Sequence, residues 1–293
     1  MPDYDFVTVD VFTDQRFGGN QLAVFPDARG LTSAQMQALA SEFNLSETTF
    51  VLPPDDPANT ARVRIFTKTY EMPFAGHPNV GTGWVLAQQN PADILRFEEI
   101  AGLVEVKVQR DAAGNVTATT IAAPQPLSLG QHVSPAAIAA CAGLALTDVV
   151  TVAHPPILAS VGNPFVIAEV TADALSRAAP DTAAFQQTAS RATDLGSRLA
   201  LFLYCKDGAG LRARMFAPLG GTVEDSATGS AATALAALLL SVTDAQEGAW
   251  DVVQGVEMGR PSLLRTTARH TSDGIRATVG GNCVKVLRGV ASL

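Results

Sequence analysis

A chain of 293 residues with 47% apolar content is long for one core and comfortable for two, since domains usually run to about 100–150 residues. Its 28 acidic against 20 basic residues leave a net charge of −8, and no Lys/Arg run makes a local basic patch, so a nucleic-acid partner is disfavoured. The longest apolar run, Ala231 to Leu240, falls short of the ~20 residues of a membrane span, and Met1-Pro2-Asp3-Tyr4-Asp5 lacks the regions of a signal peptide, so a cytoplasmic protein with no membrane partner is expected.

Thr8 to Phe12 and Leu22 to Phe25 read as strands around the turn residues Asp14 to Asn20. Thr32 with Gln35 makes a capping box and Leu31 with Met36 a hydrophobic staple. Met36, Leu39, Ala40 and Phe43 continue an apolar stripe at helical spacing, which predicts a helix ending near Asn44 on the outside of its sheet. Thr48 to Leu52 and Arg62 to Phe66 read as strands. A Gly-rich apolar run, Asn79 to Ala87, follows Glu71-Met72-Pro73-Phe74-Ala75-Gly76-His77-Pro78. Leu103 to Val108 and Val116 to Ile121 form a hairpin about Ala112 to Asn115, and Ala122 to Gln131, with Pro124 and Pro126, is the candidate linker. Pro135 to Ala142 is helical, and Thr171 to Ser197 is Ala-rich, helical in two pieces broken at Pro180. Leu199 to Cys205 and Leu211 to Phe216 are strands. Ala231 to Leu240 is a helix apolar on every face and therefore buried. From Val252 to Val290 the chain alternates as closing strands, with turns at Ser272 to Gly274 and Gly280 to Asn282.

Cys141, Cys205 and Cys283 show no CxxC spacing and read as buried small apolar residues. His77, His132, His154 and His270 show no HxxxH or HExxH arrangement, so no metal is expected.

Two halves of the chain share an order. The Gly19-Asn20 step before an apolar strand returns as Gly162-Asn163, and each is followed by a helical segment, two strands, a glutamate and a Gly step. Glu71 stands before Gly76 as Glu224 stands before Gly229. This is a duplicated α/β unit, not a solenoid, whose periods are shorter. Two related domains, 1–123 and 124–293, would face each other, with the final strand free to return to the first. One helix N-terminus from each would be aimed at the cleft.

At those helix starts free N–H groups and the positive end of the dipole favour an anion. In Glu224-Asp225-Ser226-Ala227-Thr228-Gly229-Ser230-Ala231 the competing reading is an ordinary N-cap with solvated acids. Glu47 lies at a helix-to-strand junction between Leu45 and Phe50, where α/β proteins place clefts. Desolvated there, it could shuttle a proton at neutral pH; otherwise it is a surface acid. Asp225, beside a helix start, would tend to stay ionised. His77 reads either as a general acid or as a hydrogen-bonding cap.

Phe17 to Phe25, Asn44-Leu45-Ser46-Glu47-Thr48-Thr49-Phe50, Pro73 to Pro78, and Phe216-Ala217-Pro218 with Glu224 to Ala231 resemble the signature segments of the phenazine biosynthesis (PhzF-like) isomerase family. The resemblance spans most of the chain, with Ser226 where Pro is usual and Met72 where Leu is usual. It implies an α/β (α+β) architecture like that of diaminopimelate epimerase: two pseudo-symmetric domains, each a mixed β-sheet wrapped around a central helix. It further implies a homodimer and a cofactor-independent isomerase acting in the interdomain cleft on a small carboxylate-bearing substrate such as trans-2,3-dihydro-3-hydroxyanthranilate. Glu47 would take a proton from C3 of that ring and help return it elsewhere. Asp225 and His77 would assist the shuttle, and Gly76, Gly229 and Ser230 would bind substrate.

The two-thiol chemistry of other epimerases with this fold is disfavoured, because no Cys lies near Gly76-His77 or Gly229-Ser230. A serine hydrolase through Ser230 is disfavoured because Thr228-Gly229-Ser230-Ala231-Ala232 lacks the second Gly of a nucleophile elbow. The alternative is a small-molecule (anion) binding protein of the same fold without turnover.

Overall fold

The computed structural model describes residues 2–191 and 199–293. It consists of two compact units, one formed by Met1–Pro124 with Gly280–Leu293 and the other by Gln125–Val279. The first unit runs β1 (Asp3–Val11), β2 (Asn20–Phe25), α1 (Ser33–Phe43), β3 (Glu47–Leu52), β4 (Ala61–Phe66), β5 (Glu71–Met72), α2 (Gly76–Ala87), β6 (Ile94–Glu99), β7 (Gly102–Arg110) and β8 (Val116–Ala122). The second runs β9 (Ser128–His132), α3 (Pro135–Ala142), β10 (Val149–Val150), β11 (Ile157–Ser160), β12 (Pro164–Val170), α4 (Ala172–Arg177), α5 (Thr182–Arg191), β13 (Leu201–Asp207), β14 (Gly210–Ala217), β15 (Thr222–Asp225), α6 (Gly229–Ser241), β16 (Glu247–Gln254) and β17 (Ser262–Thr271). The last strand, β18 (Gly274–Ser292), starts in the second unit and finishes in the first, where it pairs antiparallel with β1.

Each unit repeats one mixed pattern of strand pairing. β2 and β3 are parallel, β3–β4 and β4–β5 antiparallel, β4–β6 parallel and β6–β7 antiparallel. In the second unit β12–β13, β13–β14, β14–β15, β14–β16 and β16–β17 follow the same sequence of directions. The strands close around a central helix. α2 packs on β1, β2, β3, β7 and β8, and α6 on β11, β12, β16 and β17. α6 is buried from Ala231 to Leu240, as an all-round apolar helix must be. α2 reaches its strands through glycines, a Cβ at Gly83 falling 2.5 Å from Val106 Cγ1.

α1 carries the expected capping box and ends at Asn44 in the left-handed region (φ 54°). Its Met36, Leu39 and Ala40 cover Phe25, Phe50 and Phe66 on one face of the sheet. All three cysteines are buried and free.

Two expectations need correction, and one strand was not anticipated. The segment Ala122 to Gln131 is not wholly linker, because Ser128 and Leu129 already pair with Ser160 and Ala159. The prolines keep only the residues just before it out of the sheet. Gly280 to Asn282 is not a turn but the interior of β18. A Cβ at Gly280 would meet Thr120 Oγ1 at 2.1 Å and the Thr119 carbonyl at 2.8 Å, so glycine is there for close strand approach. β6, whose Leu95 and Phe97 alternate inward, was missed. The two-piece helix is present on either side of Pro180 as α4 and α5, while the residues 192–197 assigned to it lie outside the described residues.

Gly280→Ala is expected to destabilise the protein by about 1–3 kcal/mol through overpacking against backbone, read as a lower urea midpoint at unchanged m-value.

Candidate active site

Glu47 is the first residue of β3, set beside Leu22 of β2 by the parallel register. The left-handed Asn44 ends α1 and turns the chain into this strand. Its carboxylate lies 3.5 Å from His77 Nδ1, with the two side chains 17% and 7% exposed. His77 is the second residue of α2, directly after Gly76. Burial pushes the imidazole down to about 4, opposed by a backbone hydrogen bond at Gln21. It is therefore neutral at pH 7 and offers one N–H and one lone pair. Its Nε2 is buried without a partner among the described residues. Ala75, the N-cap of α2, has no side chain that could cap the helix, so the amides around Gly76 are left to other acceptors.

In the second unit Asp225 closes β15, four residues before α6 begins at Gly229. Thr228, the N-cap, makes no capping bond. Its hydroxyl instead donates to Asp225 Oδ2 at 2.7 Å. Gln254, fully buried, fastens this corner: its Nε2 donates to the Asp225 carbonyl (2.8 Å) and Thr228 Oγ1 (3.1 Å), while its Oε1 accepts from the Thr228 amide (3.0 Å). Ser262 Oγ donates to the Ser226 carbonyl at 3.0 Å. Ser230, half-buried, is the second residue of α6, the place His77 holds on α2. The structure thus gathers Glu47, Gly76 and His77 in one unit and Asp225, Gly229 and Ser230 in the other. Among the described residues no three His, Cys, Asp or Glu side chains gather as a metal-binding group.

Sequence reading missed the braces behind both helix starts. Arg64 on β4 grips Glu71 with both nitrogens of its fork, Nε to Oε1 and NH2 to Oε2, each at 2.6 Å. Arg214 on β14 does the same to Glu224 at 2.8 and 2.9 Å. Each guanidinium lies over a phenylalanine two residues on, Phe66 at 5.0 Å and Phe216 at 4.9 Å. Arg214 NH1 also donates to the carbonyls of Leu175 and Ala178 around the end of α4. A fork on a carboxylate fixes direction as well as distance, so each brace sets where its glutamate strand leads into the Gly step. The signal was present as Arg62-Val63-Arg64-Ile65-Phe66 and Arg212-Ala213-Arg214-Met215-Phe216.

The model of the phenazine biosynthesis-like protein family matches residues 9–289. The chain belongs to that family. Relatives of the family include an uncharacterised isomerase of Mesorhizobium japonicum, 39% identical over 99% of each chain. The trans-2,3-dihydro-3-hydroxyanthranilate isomerase of Pseudomonas aeruginosa is 37% identical over 98% of this chain and 99% of its own. Among solved structures, a predicted epimerase of Pseudomonas aeruginosa shares 30% identity over 99% of both chains with a TM-score of 0.81. A PhzF-family protein of Bacillus anthracis covers all of both chains with a TM-score of 0.89 at 24% identity, a likeness of fold. This phenazine biosynthesis-like chain is an enzyme of the isomerase class.

Two outcomes are expected. The His77 imidazole should not titrate in NMR spectra between pH 8 and about 5. Because its folded pKa lies below the unfolded ~6.5, stability present above pH 6.5 should decline by up to ~3 kcal/mol as pH falls through about 4, a component lost in His77→Gln. Arg214→Met should cost about 3–5 kcal/mol by leaving Glu224 unpaired, and adding Glu224→Gln should recover part of it in urea unfolding.

Proposed function

We propose that this chain is a cofactor-independent isomerase that moves a proton within a small carboxylate-bearing molecule of the dihydro-hydroxyanthranilate type, with Glu47 as the acid and base. The observation that carries the reading is the Glu47–His77 contact, a largely desolvated carboxylate against an imidazole held neutral by burial. A cationic imidazole at that distance would hold Glu47 ionised and weaken it as a base. A neutral one leaves it able to take a proton from a carbon acid, stand as the carboxylic acid, and give the proton back at another carbon. The relative from Pseudomonas aeruginosa is named a trans-2,3-dihydro-3-hydroxyanthranilate isomerase, which supports this choice of substrate class.

His77 then serves as hydrogen-bond partner to Glu47 and to the substrate. The amides at Gly76 and Gly229 and the Ser230 hydroxyl hold anionic or polar substituents. Asp225, oriented by Thr228 and Gln254, assists the proton's path. A homodimer and a cytoplasmic location form part of the same reading.

Incubation with dihydro-hydroxyanthranilate in deuterated water, followed by NMR, tests it. Wild type should isomerise the ring and incorporate deuterium, and Glu47→Gln should lose about 10²–10⁴-fold in rate while still binding. Binding without exchange in the wild type would instead identify an inactive anion-binding protein.

A further inference from the structure

A β-bulge near the end of the chain brings two cations onto one face of the first unit. β18 pairs with β1 so that Leu287 stands opposite Thr8 but Lys285 opposite Val9, the register slipping between them. Side chains alternate between the faces of a strand, so Lys285 and Arg288, three positions apart, would ordinarily point to opposite sides. The extra residue, Val286, cancels that difference. Arg288 stands opposite Val7 and Lys285 opposite Val9, and Val7 and Val9 share a face. It is the α2 side, where a Cβ at Gly81 would lie 3.4 Å from Val9 Cγ2. The bulge is pegged at both ends: Thr8 Oγ1 accepts from the Leu287 amide at 3.1 Å, and the Lys285 carbonyl accepts from Arg16 Nε at 3.0 Å.

Both cations line a pocket of about 550 Å³, shared with Asp5, Val7, Pro26 and, on α2, Trp84. That volume falls in the usual range of small-molecule sites, ~300–1,000 Å³. Among the described residues the Lys285 ammonium, the Arg288 guanidinium and the Asp5 carboxylate have no hydrogen bond or ion pair. Other arginines of the unit do have acidic partners: Arg29 pairs with Asp27, Arg62 with Asp55, Arg64 with Glu71 and Arg96 with Glu105. On a chain of net charge −8, two cations gathered in one hollow without a carboxylate partner are poised for an external anion. We propose that this pocket binds a small aromatic monocarboxylate, at a site separate from Glu47 and His77.

The charge count selects the anion. Lys285 and Arg288 against Asp5 leave one positive charge, which a single carboxylate neutralises and a phosphate dianion overshoots. A guanidinium takes a carboxylate through two parallel N–H bonds, and an ammonium adds a point charge beside it. Trp84 supplies the aromatic surface against which a planar ring packs, and Val7 and Pro26 extend the apolar lining. Trp84 stands two turns from His77 on α2, about 10 Å along the helix axis, so the pocket belongs to the other end of that helix from Gly76. All of its lining residues lie in the first unit.

Benzoate titrated into the 15N-labelled full chain is the test, followed through the indole N–H resonances of the two tryptophans, which Trp250→Phe assigns. The Trp84 resonance should shift and saturate with a Kd on the order of 1 mM or below. That of Trp250, in the second unit, should not move. Arg288→Met and Lys285→Met keep the apolar stems and remove the charges. Both positions are exposed, so the urea midpoint should be unchanged. Each variant should weaken binding about fivefold, and the two together should abolish saturation. Asp5→Asn should tighten binding about twofold by removing the opposing charge. Benzyl alcohol, without the charge, and inorganic phosphate, without the ring, should each bind at least about tenfold more weakly than benzoate. Absence of a saturable shift at Trp84 would overturn the proposal. So would a shift unchanged in the double Met variant, because benzoate would then be acting from the Gly76 end of α2. Phosphate binding as tightly as benzoate would also overturn it, leaving a plain anion site. None of these measurements depends on turnover, so the pocket is decided whether or not the isomerase reading holds.

Discussion

A helix buried on every side leaves its first amide N–H groups with no partner inside the helix. In this protein that constraint is met twice, at Gly76 and Gly229, and much of the surrounding structure answers it. Neither N-cap residue caps with its own side chain. At α6 the hydroxyl that could have done so is drawn into another bond, Thr228 toward Asp225, and at α2 Ala75 has no polar side chain to offer. What remains is a pair of positively polarised helix ends presented by otherwise closed apolar cores.

Precision at those ends comes from groups that do not belong to the helices. The two Arg–Glu forks tie a central strand to the short strand before each Gly step, and Gln254 ties the strand after α6 back to the same corner. Such mostly buried ion pairs contribute little net stability compared with apolar packing. Their value lies in direction, because a bidentate contact fixes the angle at which the chain enters the helix. Glu47 and His77 then meet at a distance set by a parallel strand register on one side and a helix start on the other.

Much of this was legible in the residues. The capping box at Thr32, the all-apolar α6, the two Gly-Asn steps and the paired glutamates read directly, because each is a local pattern with a local cause. Glu47, Gly76, His77, Asp225, Gly229 and Ser230 were named as candidates, and the structure gives each a position at a strand or helix end; their roles rest on the proposal. Gln254 was not legible, since it owes its importance to Thr228, 26 residues away, which only register brings near. Gly280 misled for the same reason. A glycine in an alternating run reads as a turn until the opposing Thr120 is known.

The pairing of β1 with β18 places Asp3 opposite Ser292, so the sheet of the first unit takes its edge partner from residues made after the entire second unit. During synthesis the first unit cannot complete its sheet when residue 124 leaves the ribosome, and β1 must wait with an unpaired edge while some 150 further residues emerge. Nascent chains of this protein thus carry an exposed strand edge through most of their elongation, a period in which assistance by a chaperone would have the most to protect.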